Sequence, residues 1–567
     1  MLSVSGKNWE EIKVNHRILE KIKNDYNFSD ILSKLIISKN FSSTEISSIT
    51  NDIKISNPFL KNNDFEVGKK IIDETISKNK KILIIGDYDV DGCISTALLK
   101  IFFSHLNKEV NFYIPNRLKD GYGASITLIK KLTKIKPDLV IMVDCGSNSL
   151  ESIKYLKSKN IETIIIDHHE VFNPYLKIKC FINPKKDCDY KIYDYLCSSS
   201  LVYFFIDNYI KKKKLNIRFE NNLIYVLLAT VCDVMPIRKL NRIIALNVLK
   251  KFNITENFLF NKIFSIKKIK RPFKIDDLGF LIGPILNSAG RLKDANIVVN
   301  LITSNDSNYI ESVLNKLILL NEKRKFIESN ILNNIDFNEI KKKNDNVVVE
   351  FKDLINEGII GIIAAKLKDY FNKPSVILTK SGNFYKASAR STPDFNIGKY
   401  IKKCIDKKII ISGGGHNLAA GFNIKKEKIE EFNYYINNLY KKSDINNSKK
   451  YLSKISLSAV NFTFFNELKK IGPNGHGNNS PIFLLENVKI LKPRIFKNKF
   501  VSFYAKSTSG KLFPGISFSF LESNTSSELL YNKNSVNLIA QIKENFWNNK
   551  KNLQLIVLDV IRYPNKA

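Results

Sequence analysis

Lys81-Ile82-Leu83-Ile84-Ile85-Gly86-Asp87-Tyr88-Asp89-Val90-Asp91-Gly92 is the stretch whose reading decides the fold. Lys81–Gly86 reads as a strand, and the carboxylates follow at once where that strand ends. Outward from it, apolar runs rich in β-branched residues alternate with amphipathic stretches: Ile94–His105, Asp138–Val143, Leu150–Ser158 and Ile161–Ile166. This is the βαβ rhythm of a parallel sheet covered by helices. The other two β-like runs also end in acid, one in Asp144 and one in Asp167-His168-His169. In open α/β sheets the carboxyl ends of the strands form the ligand crevice, so three separate segments are expected to converge there.

The alternating Asp87, Asp89 and Asp91 before Gly92 could be a calcium loop, but an EF-hand needs Glu at the twelfth position, where Leu98 stands, and a helix in front. Like charges packed at a strand end are costly unless a divalent cation joins them; the plainer alternative is a solvated acidic turn. Four of the six histidines lie in the His168-His169 pair, at His416 and at His476, whereas His16 and His105 read as structural. Imidazole beside carboxylate suits Mn²⁺, Zn²⁺ or Fe, and Asp167 could orient a ring from behind. Asp233 interrupts the apolar run Leu228–Pro236 and either caps a helix or completes a metal site.

Beyond this region, a long helix over Tyr309–Asn333 is followed by polar Lys341–Asp345, then a second α/β unit from Val347 to about Tyr440 with Gly-rich turns at Glu357-Gly358 and Ser412–Gly415. After polar Lys441–Lys450, short β-like runs such as Ile482–Leu485, Phe500–Ala505 and Leu553–Val560 suggest a small barrel. The length of 567 residues suits several domains, and 44% hydrophobic residues suffice for their cores. No run reaches the roughly 18 apolar residues of a membrane span. No secretory signal is visible in Met1–Asn15, so a cytoplasmic location is expected. Seven cysteines without a Cys-x-x-Cys pair read as reduced thiols, mostly buried. Ninety basic against 55 acidic residues leave a net charge of +35, which suits a polyanionic partner.

Taken together, Asp87–Gly92, Val143–Gly146, Asp167–His169 and Asp233 resemble, in order and spacing, the four motifs of the DHH phosphoesterase family. Pro115-Asn116-Arg117 with Gly121-Tyr122-Gly123, Gly283-Pro284 with Asn287–Arg291, Glu357–Ile362, Gly414-Gly415-His416 with Ala419–Gly421, and Gly472-Pro473 with Pro481–Phe483 extend the resemblance, over nearly the whole length, to the RecJ exonucleases of that family. It implies an α/β chain with a parallel-sheet DHH domain and N-terminal extension (1–300), a connecting helix (301–345), a second α/β DHH-associated domain (346–442) and a C-terminal OB-like β-barrel that binds nucleic acid (450–567).

Carried over position by position, it implies two divalent ions, Mn²⁺ or Mg²⁺, held by Asp89, Asp91, Asp144, His168 and Asp233, with Asp87 beside them. His169 would face the scissile phosphate, Arg291, Ser388 and Arg390 would bind the terminal phosphate, His416 would stabilise a phosphate oxygen, and Arg117 and Tyr122 would steer and stack the strand. The activity implied is 5′-to-3′ hydrolysis of single-stranded DNA to mononucleotides, in recombination and repair, by a monomer. No Gly-x-x-x-x-Gly-Lys-Ser/Thr loop is present, so the strand must arrive unwound. A helicase supplying it and single-strand binding protein are the partners such an enzyme would meet. Asn356, Ala387, Ser198–Ser200 and Phe500 depart from the family pattern, none of them at an implied ligand. The alternatives are an oligoribonuclease or pyrophosphatase of the same family, disfavoured by barrel, length and charge, and a silent DNA-binding scaffold, disfavoured by the complete motif set.

Overall fold

The computed structural model describes residues 1–562 except 118, 122, 173–177, 187, 354, 441–447 and 548–549. A five-stranded, all-parallel sheet lies at the centre of the first domain, in the order Asn111–Tyr113, Ile82–Ile85, Leu139–Val143, Glu162–Ile166, Cys180–Ile182. The apolar runs lack alternation because both faces are covered. Ile82, Ile84, Leu139 and Ile141 face one core with the helices Val90–His105 and Ser198–Lys213, while Leu83, Ile85, Val140 and Met142 face another with Leu150–Ser158. Connections leave Ile82–Ile85 in opposite directions, so the switch point lies between it and Leu139–Val143, where Asp87 and Asp144 follow the strands. Asn111–Tyr113 and Cys180–Ile182 are too short to stand out in the sequence.

The helix Ser307–Asn333 leads, through a short helix Phe337–Lys343, to the second domain. Its sheet runs Ser412–Gly415, Ala419–Ile424, Phe384–Arg390, Ser375–Ser381, Val348–Phe351, parallel only between the last two. The third domain is a closed five-stranded barrel of Phe483–Phe496, Phe500–Lys506, Leu512–Ser517, Lys550–Arg562 and Val536–Trp547.

The expected extent of the first domain needs redrawing at its start. Trp9–Glu11 pairs in parallel with Lys449–Tyr451, and Leu32, Leu35, Ile36 and Ile46 from the first helices share one core with Leu485, Val501 and Leu555 of the barrel. The amphipathic helices Asp30–Ser38 and Ser43–Thr50 find the apolar face that covers them on the barrel, not on the first sheet. All seven cysteines are free; five are buried, Cys188 is exposed and Cys232 lies between.

Candidate metal centre and phosphate site

Each motif reaches the crevice from a defined element. Asp89 caps the helix Val90–His105, accepting from the Gly92 amide at 2.9 Å. Only glycine fits at 92, since a Cβ would lie 2.4 Å from the Asp87 carbonyl oxygen. Asp91, in the first turn of that helix, is 1% exposed and accepts from the Ser198 and Ser199 amides at 2.8 and 2.9 Å. Those amides begin the helix Ser198–Lys213, so the unusual serines supply main-chain donors at a helix N-terminus. Asp144 follows its strand with φ +58°, and its amide extends the ladder to Ile166. Asp233 is the C-cap of the helix Leu223–Cys232, and the next residue, Val234, has φ +57°. Left-handed backbone at a β-branched residue is strained and needs surrounding contacts to hold it.

His168 Nε2 lies 3.3 Å from Asp144, 3.4 Å from Asp233 and 3.9 Å from Asp91, measured to carboxylate oxygens. Three overlapping groups could each hold an ion: Asp91, His168 and Asp233; Asp87, Asp89 and Asp144; and Asp144, His168 and His169. The donor set fits divalent cations by more than proximity. Asp87 Oδ1, Asp144 Oδ1, Asp233 Oδ2 and His168 Nδ1 are buried without a hydrogen-bond partner among the described residues, a costly state for polar atoms in a native fold. Burial, then the neighbouring Asp89 charge, pushes the Asp87 carboxyl up to about 8. Burial and then Asp91 push Asp144 and Asp233 well above the usual carboxylate range. Burial pulls the His168 imidazole down to about 4, the neutral form a metal ligand needs.

Behind this cluster Asp167 is saturated. It accepts from the amides of Ser147, His168 and His169, and from His169 Nδ1 at 2.8 Å. Burial alone would raise its carboxyl, but the His169 bond and charge hold it well below the usual range. The same bond outweighs burial at His169 and lifts that imidazole to about 9. Asn183 braces the turn by donating to the His169 carbonyl and to Ser147 Oγ, both at 2.9 Å.

Across the crevice stands a cluster of arginines. Arg291 Nη1 donates to the Gly358 carbonyl at 2.8 Å, and Arg390 Nη1 to Ser388 Oγ at 3.3 Å and the Ala389 carbonyl at 2.8 Å. Burial, then the charges of Arg117, Arg324 and Arg390, lower the Arg291 guanidinium to about 10, and burial with Arg117 lowers Arg390. Cations that depress one another are arranged for an anion. Arg117 lies over the Tyr88 ring at 5.2 Å. A 360 Å³ cavity is lined by Tyr88, Arg117, Lys386 and Ser388, and Arg291 and Arg324 line a second, of 670 Å³, between the first domain and the barrel. Burial and the nearby His169 and Lys185 charges lower the His416 imidazole.

The structure thus brings Asp87, Asp89, Asp91, Asp144, His168, His169 and Asp233 into one crevice and Arg117, Arg291, Ser388 and Arg390 beside it, while Tyr122 lies outside the described residues. Sequence reasoning missed Arg324, which reads as one more charge on a helix surface, and the Ser198 and Ser199 amides, which carry no side-chain signal. Asn356 caps the helix Glu357–Phe371 by accepting from the Gly358 amide at 2.8 Å.

The DHH family N-terminal domain matches residues 81–230, the DHHA1 domain residues 344–442 and the RecJ OB domain residues 453–559. A relative from Bacillus subtilis, named single-stranded-DNA-specific exonuclease RecJ, is 25% identical over 97% of this chain and 70% of its own length. One of the same name from Haemophilus influenzae is 28% identical over 66% of this chain and 68% of its own. The fold is that of the Thermus thermophilus RecJ structure in complex with Mn²⁺, at a TM-score of 0.82 and 18% identity over 98% of this chain and 80% of that one. With all three domains matched in order and the four motifs meeting in one crevice, the chain belongs to the DHH family and, within it, to the RecJ group.

Proposed function

We propose that this chain is a metal-dependent exonuclease that hydrolyses single-stranded DNA from the 5′ end to mononucleotides, in recombination and repair. The carrying observation is the juxtaposition of a buried carboxylate–imidazole cluster with half-buried Arg291 and Arg390, neither of which is ion-paired with a carboxylate among the described residues. Asp89, Asp91, Asp144, His168 and Asp233 would hold two ions, Mn²⁺ or Mg²⁺, with Asp87 adjoining. When bound, such a pair supplies a water nucleophile at neutral pH and offsets the charge that develops on the phosphate.

The chain's own residues do the rest. The Ser198 and Ser199 amides fix both oxygens of Asp91, and Asp167 fixes the His169 ring facing the scissile phosphate. Arg291, Arg390 and Ser388 hold a terminal phosphate by charge-assisted bonds whose planar geometry an internal diester fills less well. Arg117 and Tyr122 guide the strand behind it, and His416 reaches a phosphate oxygen from the second domain. The barrel and the net charge of +35 favour a long polyanion over a dinucleotide. The setting we propose is cytoplasmic, with the protein a monomer working on strands that a helicase unwinds and single-strand binding protein coats.

An oligonucleotide labelled at either end and incubated with Mn²⁺ tests the reading. The 5′ label should leave at once as mononucleotide while the 3′ label shortens through a ladder. The reverse pattern, or no cleavage, would overturn it.

A further inference from the structure

We infer that the turn Gly475-His476-Gly477-Asn478, which precedes the barrel strands, is a positioning element for Asp233, so that the barrel domain sets the geometry of the metal centre as well as gripping the strand. The inference rests on the function proposed above and concerns how one ligand is held.

Asp233 lies at a helix end whose turn, through left-handed Val234, is closed by the Met235 amide onto the Thr230 carbonyl at 3.0 Å, but among the described residues no hydrogen bond reaches the buried Oδ2 of its carboxylate, 3.4 Å from His168. The segment that follows is clamped instead. The Ile237 amide donates to the His476 carbonyl at 2.8 Å. Gly475 and Gly477 come so close that a Cβ on either would lie 2.7 Å from Ile237 Cγ1 or Pro236 Cβ. The turn is itself rigid: Gly475 and Asn478 exchange both main-chain bonds, and buried Asn478 Nδ2 donates to the Ile471 and Pro473 carbonyls.

The far side of the segment is anchored by Arg238, which forks onto buried Glu45 at 2.7 and 3.0 Å. Fully buried Arg242 then ties together Ser48, the Glu45 carbonyl and the Lys470 and Ile471 carbonyls. Both anchors thus come from the barrel and the N-terminal helices that share its core. A carboxylate whose supporting backbone is held from another domain loses its place when that hold slackens.

Gly475→Ala in the full chain tests this, because the added methyl must push Ile237 away. Calorimetric Mn²⁺ titration of the metal-free protein should show affinity about 10–100-fold weaker, the scale of lost support behind a metal ligand. The Ile237 amide should lose its hydrogen-exchange protection, and kcat should fall while KM and metal-free strand affinity stay as in the wild type. Adding Ile237→Ala should restore part of the Mn²⁺ affinity, since the methyl then meets only Cβ, now 3.5 Å away. If Gly475→Ala does not fold, Glu45→Gln loosens the opposite anchor and is read by the same measurements. Wild-type Mn²⁺ affinity and kcat in the folded variant, or a loss confined to strand affinity, would overturn the inference alone. A wild-type protein that neither binds Mn²⁺ nor cleaves a strand would overturn the proposed function and this inference with it.

Discussion

His169 Nδ1 and Asp167 Oδ1 lie 2.8 Å apart, and Asp167 spends its remaining capacity on the amides of Ser147, His168 and His169. One carboxylate therefore fixes both the turn and the ring. Asp167→Asn keeps the shape but not the charge, so turnover should fall by about 10–100-fold, the usual cost of losing an orienting partner. Single-strand affinity, read by fluorescence anisotropy, should not change; if it falls in step with turnover, the ring is not held for the chemical step.

Asp144 sits among facing carboxylates and contributes repulsion, not packing, to the metal-free fold. Asp144→Ala should abolish hydrolysis while the Tm of the metal-free protein does not fall, and the rise in Tm that Mn²⁺ gives the wild type should disappear. Near-normal turnover at saturating Mn²⁺ would remove Asp144 from the proposed ligand set.

Arg390 is half-buried near Arg117 and oriented by Ser388 and the Ala389 carbonyl. Arg390→Ala should reduce the preference for 5′-phosphorylated over 5′-hydroxyl strands more than it slows turnover at saturation, because the acidic crevice is untouched. Lysine should rescue only partly, having charge without the planar fork. An unchanged preference in matched steady-state assays would shift end recognition toward Arg117.

Affinity for single strands should fall with salt at a log–log slope of about −0.7 per phosphate neutralised. A titration without this dependence would contradict a strand path lined by basic side chains.

Glu45 gives a pH prediction away from the crevice. Burial would raise its carboxyl, but the Arg238 fork and the Lys239 and Ser42 amides bring it down to about 2 from an ordinary 4.5. A depressed carboxylate contributes stability that is complete above its unfolded value and is lost as pH falls through the folded one, so the window is pH 4.5 to 2. The contribution is on the order of 3 kcal/mol. Urea unfolding at pH 5 and pH 3 should show wild type losing more stability than Glu45→Gln over that interval; parallel losses would mean the ion pair is not what acid breaks.

What the sequence made legible was chemistry set in the wrong surroundings. Asp144, Asp233 and the Asp167–His169 tandem are polar groups at the ends of apolar runs, and such placement is expensive unless it has a use. The Ser198 and Ser199 amides were hidden because every residue but proline carries one. Arg324 was hidden because a helix surface is full of charges, and only the fold shows which one turns toward Arg291. The pairing of Trp9–Glu11 with Lys449–Tyr451 was out of reach for another reason: an amphipathic pattern states that a face will be covered, never by what.

That pairing also bears on how the molecule is made. Leu32, Leu35 and Ile46 leave the ribosome more than four hundred residues ahead of Leu485 and Leu555, the barrel residues whose core they join. At about 5–20 residues per second, the early helices wait roughly 20–100 s with their apolar faces open while two intervening domains emerge and fold. Docking is therefore a late event that waits for the barrel to emerge, and a nascent chain stalled before the barrel should be a chaperone client. Expression of residues 1–440 alone should aggregate through the orphaned helices, whereas a fragment that also omits residues 1–50 should stay in solution.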